Sequence, residues 1–248
     1  MSEVYVYDCN NYCRVKSETS INFMRDLIYE ACKKDGIIRF YVFDGKNSNA
    51  YRREFYPKYK MTREMPKDNF FENLKWFKEL LSFAPKSVGT IQLDGYEADD
   101  VIAQLGNWFP EITVFSTDKD LLQIKNAKLP MANNEWEDRD LIFTRKVLCG
   151  DPSDNISGVS GFGSGAWKNC NKKLAKRYVE NGEKELFAES LPTRAKNAIL
   201  SFPDEELEKL KKVIGFRKIE KPIEVNFGCD NIKEIEKQLT QYFILGED

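Results

Sequence analysis

Between Leu93 and Leu122 the chain carries two groups of carboxylates at positions suited to chemistry. Glu97, Asp99 and Asp100 stand just before Val101, Ile102 and Leu105, which are spaced like the buried stripe of a helix. Asp118 and Asp120 follow the β-branched and aromatic run from Ile112 to Phe115, which reads as a buried strand. A helix start and a strand's C-terminal end converge on one crevice in an open α/β sheet. Carboxylates crowded there repel one another unless some are protonated or a cation neutralises them. Oxygen-only ligands suit a hard ion such as Mg²⁺ or Mn²⁺, and the chain contains no histidine. Each group alone also has a structural reading. Acids in a first helical turn complement the helix dipole, and an Asp after a strand makes a turn.

The elements that must position these acids are legible around them. A first strand from Glu3 to Tyr7 ends in Asp8, and a second from Ile37 to Phe43 ends in Asp44. Between them Ile21, Met24, Leu27, Ile28 and Ala31 recur at helical spacing, with Thr19 or Ser20 as cap and Gly36 as stop. This is a βαβ unit with an acid on one rim after each strand. Asp68 is the expected cap of a further helix with Phe71, Leu74, Phe77, Leu80 and Leu81 inward. Val88 to Leu93 is a third strand and Ile112 to Ser116 a fourth. Lys128 to Ala132 and Leu141 to Thr144 are expected as short strands, with a polar turn over Met131 to Arg139. Packing helices are expected over 186–187, 195–200 and 207–214, an extended piece over 222–227, and a last amphipathic helix over 232–245.

Two segments carry positive charge. From Ser48 to Lys67, Arg52, Arg53, Lys58, Lys60, Arg63 and Lys67 alternate with Tyr51, Phe55, Tyr56 and Tyr59. Cations neutralise phosphates and rings stack on splayed bases, so the segment suits a single-stranded or frayed nucleic-acid end; the alternative is a solvated amphipathic helix. Further on, Asp151 and Asp154 precede Gly158, Gly161, Gly163 and Gly165, and then come Lys168, Lys172, Lys173, Lys176 and Arg177. A Gly-rich turn between helices, with bases on the second, grips a duplex backbone without reading sequence; the alternative is an ordinary helix–turn–helix core element.

The 248 residues suffice for one large α/β domain, or one with a small appendage. No apolar run approaches the ~20 residues of a membrane span, and no basic leader with an apolar core precedes Val4, so no signal peptide is expected. The net charge of −2 argues against an indiscriminate nucleic-acid binder. The six cysteines include no Cys-x-x-Cys pair and read as reduced residues of a cytosolic protein.

Three motifs together, Gly95-Tyr96-Glu97-Ala98-Asp99-Asp100, Ser116-Thr117-Asp118-Lys119-Asp120-Leu121 and Gly150-Asp151-Pro152-Ser153-Asp154-Asn155, resemble the structure-specific 5′-nuclease family. That family includes flap endonucleases, the 5′-nuclease domain of bacterial DNA polymerase I, and phage 5′→3′ exonuclease/RNase H enzymes. Arg52 to Lys60, followed by Arg63, resembles the basic run entering the family's helical arch. The resemblance spans Asp8 to about Arg177.

It implies an α/β fold with a mostly parallel central sheet flanked by helices, PIN-like, with a helix-hairpin-helix-like DNA-binding element and C-terminal helices. The implied division is a nuclease core over 1–143, with the arch at about 48–84, and a helical region over 144–248, packed as one compact unit. The implied activity is divalent-metal hydrolysis of DNA phosphodiesters, and of RNA in RNA–DNA hybrids, as 5′→3′ exonuclease or flap endonuclease in primer removal, replication or repair. Asp8, Asp44, Glu97, Asp99, Asp100, Asp118, Asp120, Asp151 and Asp154 are the implied ligands of two or more Mg²⁺ or Mn²⁺ ions. Lys60 and Arg63 would reach the scissile phosphate, and Tyr59 would stack near the unpaired end. Arg52, Arg53, Gly158, Gly161, Gly163, Lys168 and Lys172 would contact nucleic acid, with K⁺ held at the Gly-rich hairpin. A stand-alone, monomeric nuclease of a bacterial or phage-infected cytoplasm is expected, acting on DNA with a 5′ end, flap or nick. The alternative is a catalytically silent nucleic-acid-binding protein of the same fold. Departures from the family pattern are Cys9 for a frequent Gly, Ser160 for a frequent Pro and Gly165 for a frequent Lys.

Overall fold

Element order in the computed structural model begins β1 (Val4–Asp8), α1 (Cys9–Val15), α2 (Ser20–Ala31), β2 (Ile38–Asp44), α3 (Ala50–Phe55) and α4 (Phe70–Leu81). It continues β3 (Val88–Leu93), α5 (Ala98–Trp108), β4 (Ile112–Phe115), β5 (Ala127–Lys128), α6 (Ile142–Cys149), β6 (Gly150–Asp151) and β7 (Ile156–Ser157). The remainder is α7 (Ser164–Asn169), α8 (Lys172–Asn181), α9 (Lys184–Glu189), α10 (Thr193–Ser201), α11 (Asp204–Ile214), β8 (Asn226–Phe227) and α12 (Ile232–Leu245). The structure describes residues 3–15, 20–64, 69–131 and 138–245. The expected cap at Thr19, the cap at Asp68, the base Lys67 and most of the turn after Met131 lie outside them.

Two units result, one of residues 1–48, 65–133 and 218–248, the other of 49–64 and 134–217. The first is a six-stranded sheet in the order β5-β4-β1-β2-β3-β8, parallel except for β8, which pairs antiparallel with β3. Strand register follows from aromatic packing. Tyr7 stands opposite Tyr41 on one side and Phe115 on the other, and their rings stack at 4.5 and 4.6 Å. That ladder lies directly beneath Asp8, so it fixes the strand ends that carry the acids. Tyr7, Tyr41 and Phe43 bury under Met24 and Ile28 of α2, Phe77 and Leu80 of α4, and Ile235 and Leu239 of α12. Helix α5 lies on the sheet's opposite face, where Phe40 meets Phe109 at 5.8 Å.

The second unit is helical. Its core gathers Val147 and Leu148 of α6, Trp167, Tyr178, Phe187, Ile199 and Leu210, and it takes in Tyr59 from the basic segment. Leu141 to Thr144 does not form the expected strand. Asp138 accepts a hydrogen bond from Asp140 N, a 3-10 turn follows, and Ile142, Thr144, Val147 and Leu148 bury at helical spacing. The boundary expected at 143/144 is also crossed twice. Residues 218–248 return to the sheet unit through β8 and α12, and 49–64 belong to the helical unit. The expected arch over 48–84 is divided accordingly. Helix α4 buries Phe70, Leu74, Phe77, Leu80 and Leu81 in the sheet unit's core, while α3 packs on α11 in the other. Among the described residues no helix is long and apolar enough to cross a membrane.

Candidate metal centre and nucleic-acid interface

The strands run one residue further than their apolar pattern indicates, so Asp8 and Asp44 are the last residues of adjacent parallel strands. Ser116, just past β4 on the other side of β1, donates from its hydroxyl to Asp8 Oδ2 at 2.8 Å. The Asn11 amide donates to Asp8 Oδ1 at 3.2 Å. Asp8 is buried, and burial, with the neighbouring charges of Asp44 and Asp118, pushes its carboxyl up to about 7 against the opposing hydrogen bonds from Ser116 and Asn11. Asp44 Oδ1 accepts from Ala98 N at 2.8 Å, which ties the second strand's acid to the start of α5. Gly45 makes that turn possible: a Cβ there would lie 1.9 Å from Leu93 O.

At the start of α5 the structural and chemical readings coexist. Glu97 is the cap residue, and Glu97 and Asp100 exchange hydrogen bonds with each other's backbone amides as a capping box. Both are buried, while Asp99 is half-exposed. Asp118 caps a 3-10 turn over Lys119–Gln123 by accepting from Asp120 N at 2.8 Å. Its own amide donates to Ser116 Oγ at 3.0 Å. The rim of the sheet unit therefore brings Asp8, Asp44 and Asp118 together, with Glu97, Asp99, Asp100 and Asp120 on the turns beside them. Two supporting residues were invisible in the sequence. Asn10 Oδ1 accepts from Asp44 N at 2.9 Å, and Asn11 Oδ1 accepts from Thr117 N and Thr117 Oγ1, each at 2.9 Å. Their adjacency to Asp8 was the one available signal.

In the helical unit, Asp151 and Asp154 occupy the β6–β7 hairpin and place carboxylate oxygens within 4.8 Å of each other. Burial raises the Asp151 carboxyl, but Lys146, whose Nζ lies 2.5 Å from Asp151 Oδ2, and the donors of Ser153 outweigh it and the net shift is downward. Arg63 reaches Asp154 at 2.5 Å, and Lys60 N donates to Asp154 O at 3.0 Å. The Lys60 backbone, Arg63 and the two acids thus meet at one place, while the Lys60 ammonium lies 4.9 Å over the Tyr59 ring. Gly158 allows the hairpin to close, since a Cβ there would come within 2.3 Å of Gly150 N.

Several expected nucleic-acid contacts are structural instead. Tyr59 is 2% exposed and walled into the helical core, so its ring cannot stack on a base. Arg52 is equally buried, donating to Val213 O at 3.0 Å and Gly215 O at 3.2 Å. Tyr51 and Phe55 lie under Arg217 and Lys212. Composition marks such a segment as basic and aromatic, but only packing decides which faces turn inward. Lys172 donates to the carbonyls of Trp167, Lys168 and Cys170 and closes the end of α7. Arg53 is exposed and donates to Tyr59 O at 3.2 Å, while Gly161, Gly163 and Lys168 remain on the surface.

The carboxylates fit a hard divalent ion. Like charges crowd Asp8 in a buried place, and no imidazole or thiolate competes among the acids.

Residues 15–148, just over half of the chain, match the family model described as the 5′-3′ exonuclease N-terminal resolvase-like domain. The chain is 28% identical over 241 residues to DNA polymerase I of Borreliella burgdorferi, covering 88% of this chain and 26% of that one. It is 27% identical over 231 residues to the 5′-3′ exonuclease of Mycoplasmopsis pulmonis, covering 83% and 76% respectively. The chain thus spans about a quarter of the polymerase's length. Its fold is similar to that of the bacteriophage T5 D15 flap endonuclease in a complex with DNA and metal ions, with a TM-score of 0.54, 17% identity, and 96% and 98% of the two chains covered.

Proposed function

This chain belongs to the 5′-3′ exonuclease family, and from that premise we propose that it is a divalent-metal nuclease cutting DNA at 5′ ends, flaps and nicks, and RNA in RNA–DNA hybrids. The carrying observation is the Asp8–Asp44–Asp118 rim, where burial and like charge push the Asp8 carboxyl up to about 7. A cation relieves that repulsion, and oxygen ligands select Mg²⁺ or Mn²⁺. The reading assigns one ion to this rim, ringed by Glu97, Asp99, Asp100 and Asp120, and another to the Asp151–Asp154 pair. Bound ions of this kind supply a water nucleophile of lowered pKa and a Lewis acid for the phosphate oxygens.

The chain's own residues hold and orient. Asn10, Asn11 and Ser116 fix the carboxylates through the hydrogen bonds described above. Lys60 and Arg63 donate to the phosphate oxygens as charge builds there, and Arg63 exchanges Asp154 for the substrate to do so. Removing one such donor costs on the order of 10²–10³ in rate.

Labelled 5′-flap, nicked-duplex and RNA–DNA substrates, incubated with Mg²⁺ or with EDTA, test the reading. Cleavage is expected only with Mg²⁺. It should be lost in Asp118→Asn and slowed in Lys60→Ala with substrate binding kept. Cutting in EDTA would refute the metal, and tight binding without cutting in any metal would favour a silent DNA-binding protein.

A further inference from the structure

The helical unit contains a cavity of about 660 Å³ that the acids do not share. This lies within the ~300–1,000 Å³ range of ligand clefts. One wall is the turn from Ser157 to Gly165, and facing it are Pro192, Arg194 and Ala195 at the start of α10. A Cβ at Gly163 or Gly165 would meet nothing within 4 Å, so the backbone of that turn is open to an incoming group. Among the described residues Arg194 is the one charged side chain lining the cavity, and it is exposed. Among the described residues it makes no hydrogen bond or ion pair. Lys172, the nearby cation that the sequence would nominate, is held by the end of α7 and sits 4.7 Å over the Trp167 ring.

Resting on the nuclease reading above, we propose that Arg194 is a further positioning residue, taking a backbone phosphate of the substrate's duplex arm against the open turn. A guanidinium pairs a phosphate through two parallel donors, which a free arginine at a cavity mouth can supply. The contact is sequence-independent. Asn169, the lining amide, directs one Nδ2–H to Gly165 O at 3.0 Å, and the contact proposed for Arg194 is to a phosphate, which carries no sequence information. Duplex is favoured over single strand because single-strand grooves present rings for stacking. The aromatic residue of this lining, Phe162, is 1% exposed.

The test uses the full chain, with Arg194→Gln and Arg194→Lys, on flap-bearing duplex and on single-stranded oligonucleotide. In EDTA, Arg194→Gln should bind the duplex about tenfold more weakly. The slope of log affinity against log salt should shrink by about 0.9, the value of one phosphate. Single-strand affinity should be unchanged, and Arg194→Lys should restore the slope with only part of the affinity. With Mg²⁺, KM should rise while kcat holds. A parent that cuts flaps while Arg194→Gln matches it in slope and KM overturns this assignment alone. Equal loss on single strands overturns the duplex assignment. A parent that neither binds nor cuts DNA overturns the nuclease reading and this one with it.

Discussion

Replacing Asp8 by Asn should stabilise the metal-free protein, and by an amount that depends on pH. Burial, Asp44 and Asp118 raise the Asp8 carboxyl from its ordinary 3.8 to about 7. Below the lower value both folded and unfolded chains hold the proton, and Asp8 has no effect. Between the two values the unfolded chain releases it and the folded chain does not, so stability falls as pH rises. Above about 7 the loss is complete. At 1.36 kcal/mol per pH unit it amounts to about 4 kcal/mol, a large share of the ~5–15 kcal/mol that holds a typical domain folded. Asn escapes this loss because it does not ionise. Its amide can donate to Ser116 Oγ while the Ser116 hydroxyl turns to Asn11 Oδ1, 3.1 Å away, so the hydrogen-bond set survives.

The assay is thermal unfolding of parent and Asp8→Asn in EDTA across pH 5 to 8. Any fixed cost of the substitution is constant with pH, so the change in the difference is the measured quantity. From pH 5 to 7 it should grow by roughly 2 kcal/mol in favour of the variant, or roughly 4–8 °C in Tm at ~2–4 °C per kcal/mol for a chain of this size. Mg²⁺ at pH 8 should raise the parent's Tm by binding the folded state and close the gap. A difference that stays flat from pH 5 to 8 would mean that Asp8 ionises without cost, and the electrostatic argument for a cation at this rim would fail.

Gly158→Ala should cost about 3 kcal/mol in urea unfolding, because its new methyl meets the backbone at Gly150 and Leu148 rather than a side chain that can swing away; Gly163→Ala, facing open space, should stay within ~0.5 kcal/mol. Lys146→Met should tighten Mg²⁺ binding measured by calorimetry, since the ammonium competes for Asp151. The same change removes the partner that depresses the Asp151 carboxyl, so the stability that this depression supplies above the ordinary carboxylate range, and that the parent loses as acid is added, should be absent, and the acid limb of urea unfolding should be shallower in the variant. Arg52→Met should leave two carbonyls without their donor and cost roughly 2–4 kcal/mol, with DNA affinity unchanged below the melting temperature. A selective loss of DNA affinity would return Arg52 to the nucleic-acid contacts.

What the sequence reveals and what it hides divide along the range over which each signal acts. The acids at strand ends were legible because hydrophobic period and the residue closing each strand are local. β1, β2, β3 and β4 each fall within two residues of their apolar pattern. Leu141 to Thr144 misled because β-branched residues suit a strand as well as a buried helix face. The cap at Asp138 and the burial of Val147 and Leu148 decide it, and both lie outside the four residues. Tyr59 and Arg52 misled for a different reason. A basic and aromatic composition describes a surface only if the side chains face outward, and here α11 and the helical core claim them from more than a hundred residues away. Distance also hid Asn11, whose value depends on Ser116 and Thr117 arriving beside it at the end of β4. The acids were therefore readable from spacing, while the groups that aim them exist only once the sheet has brought β1, β2 and β4 side by side. Changing Asn11 should disturb the site although nothing in its own sequence neighbourhood marks it as part of the chemistry.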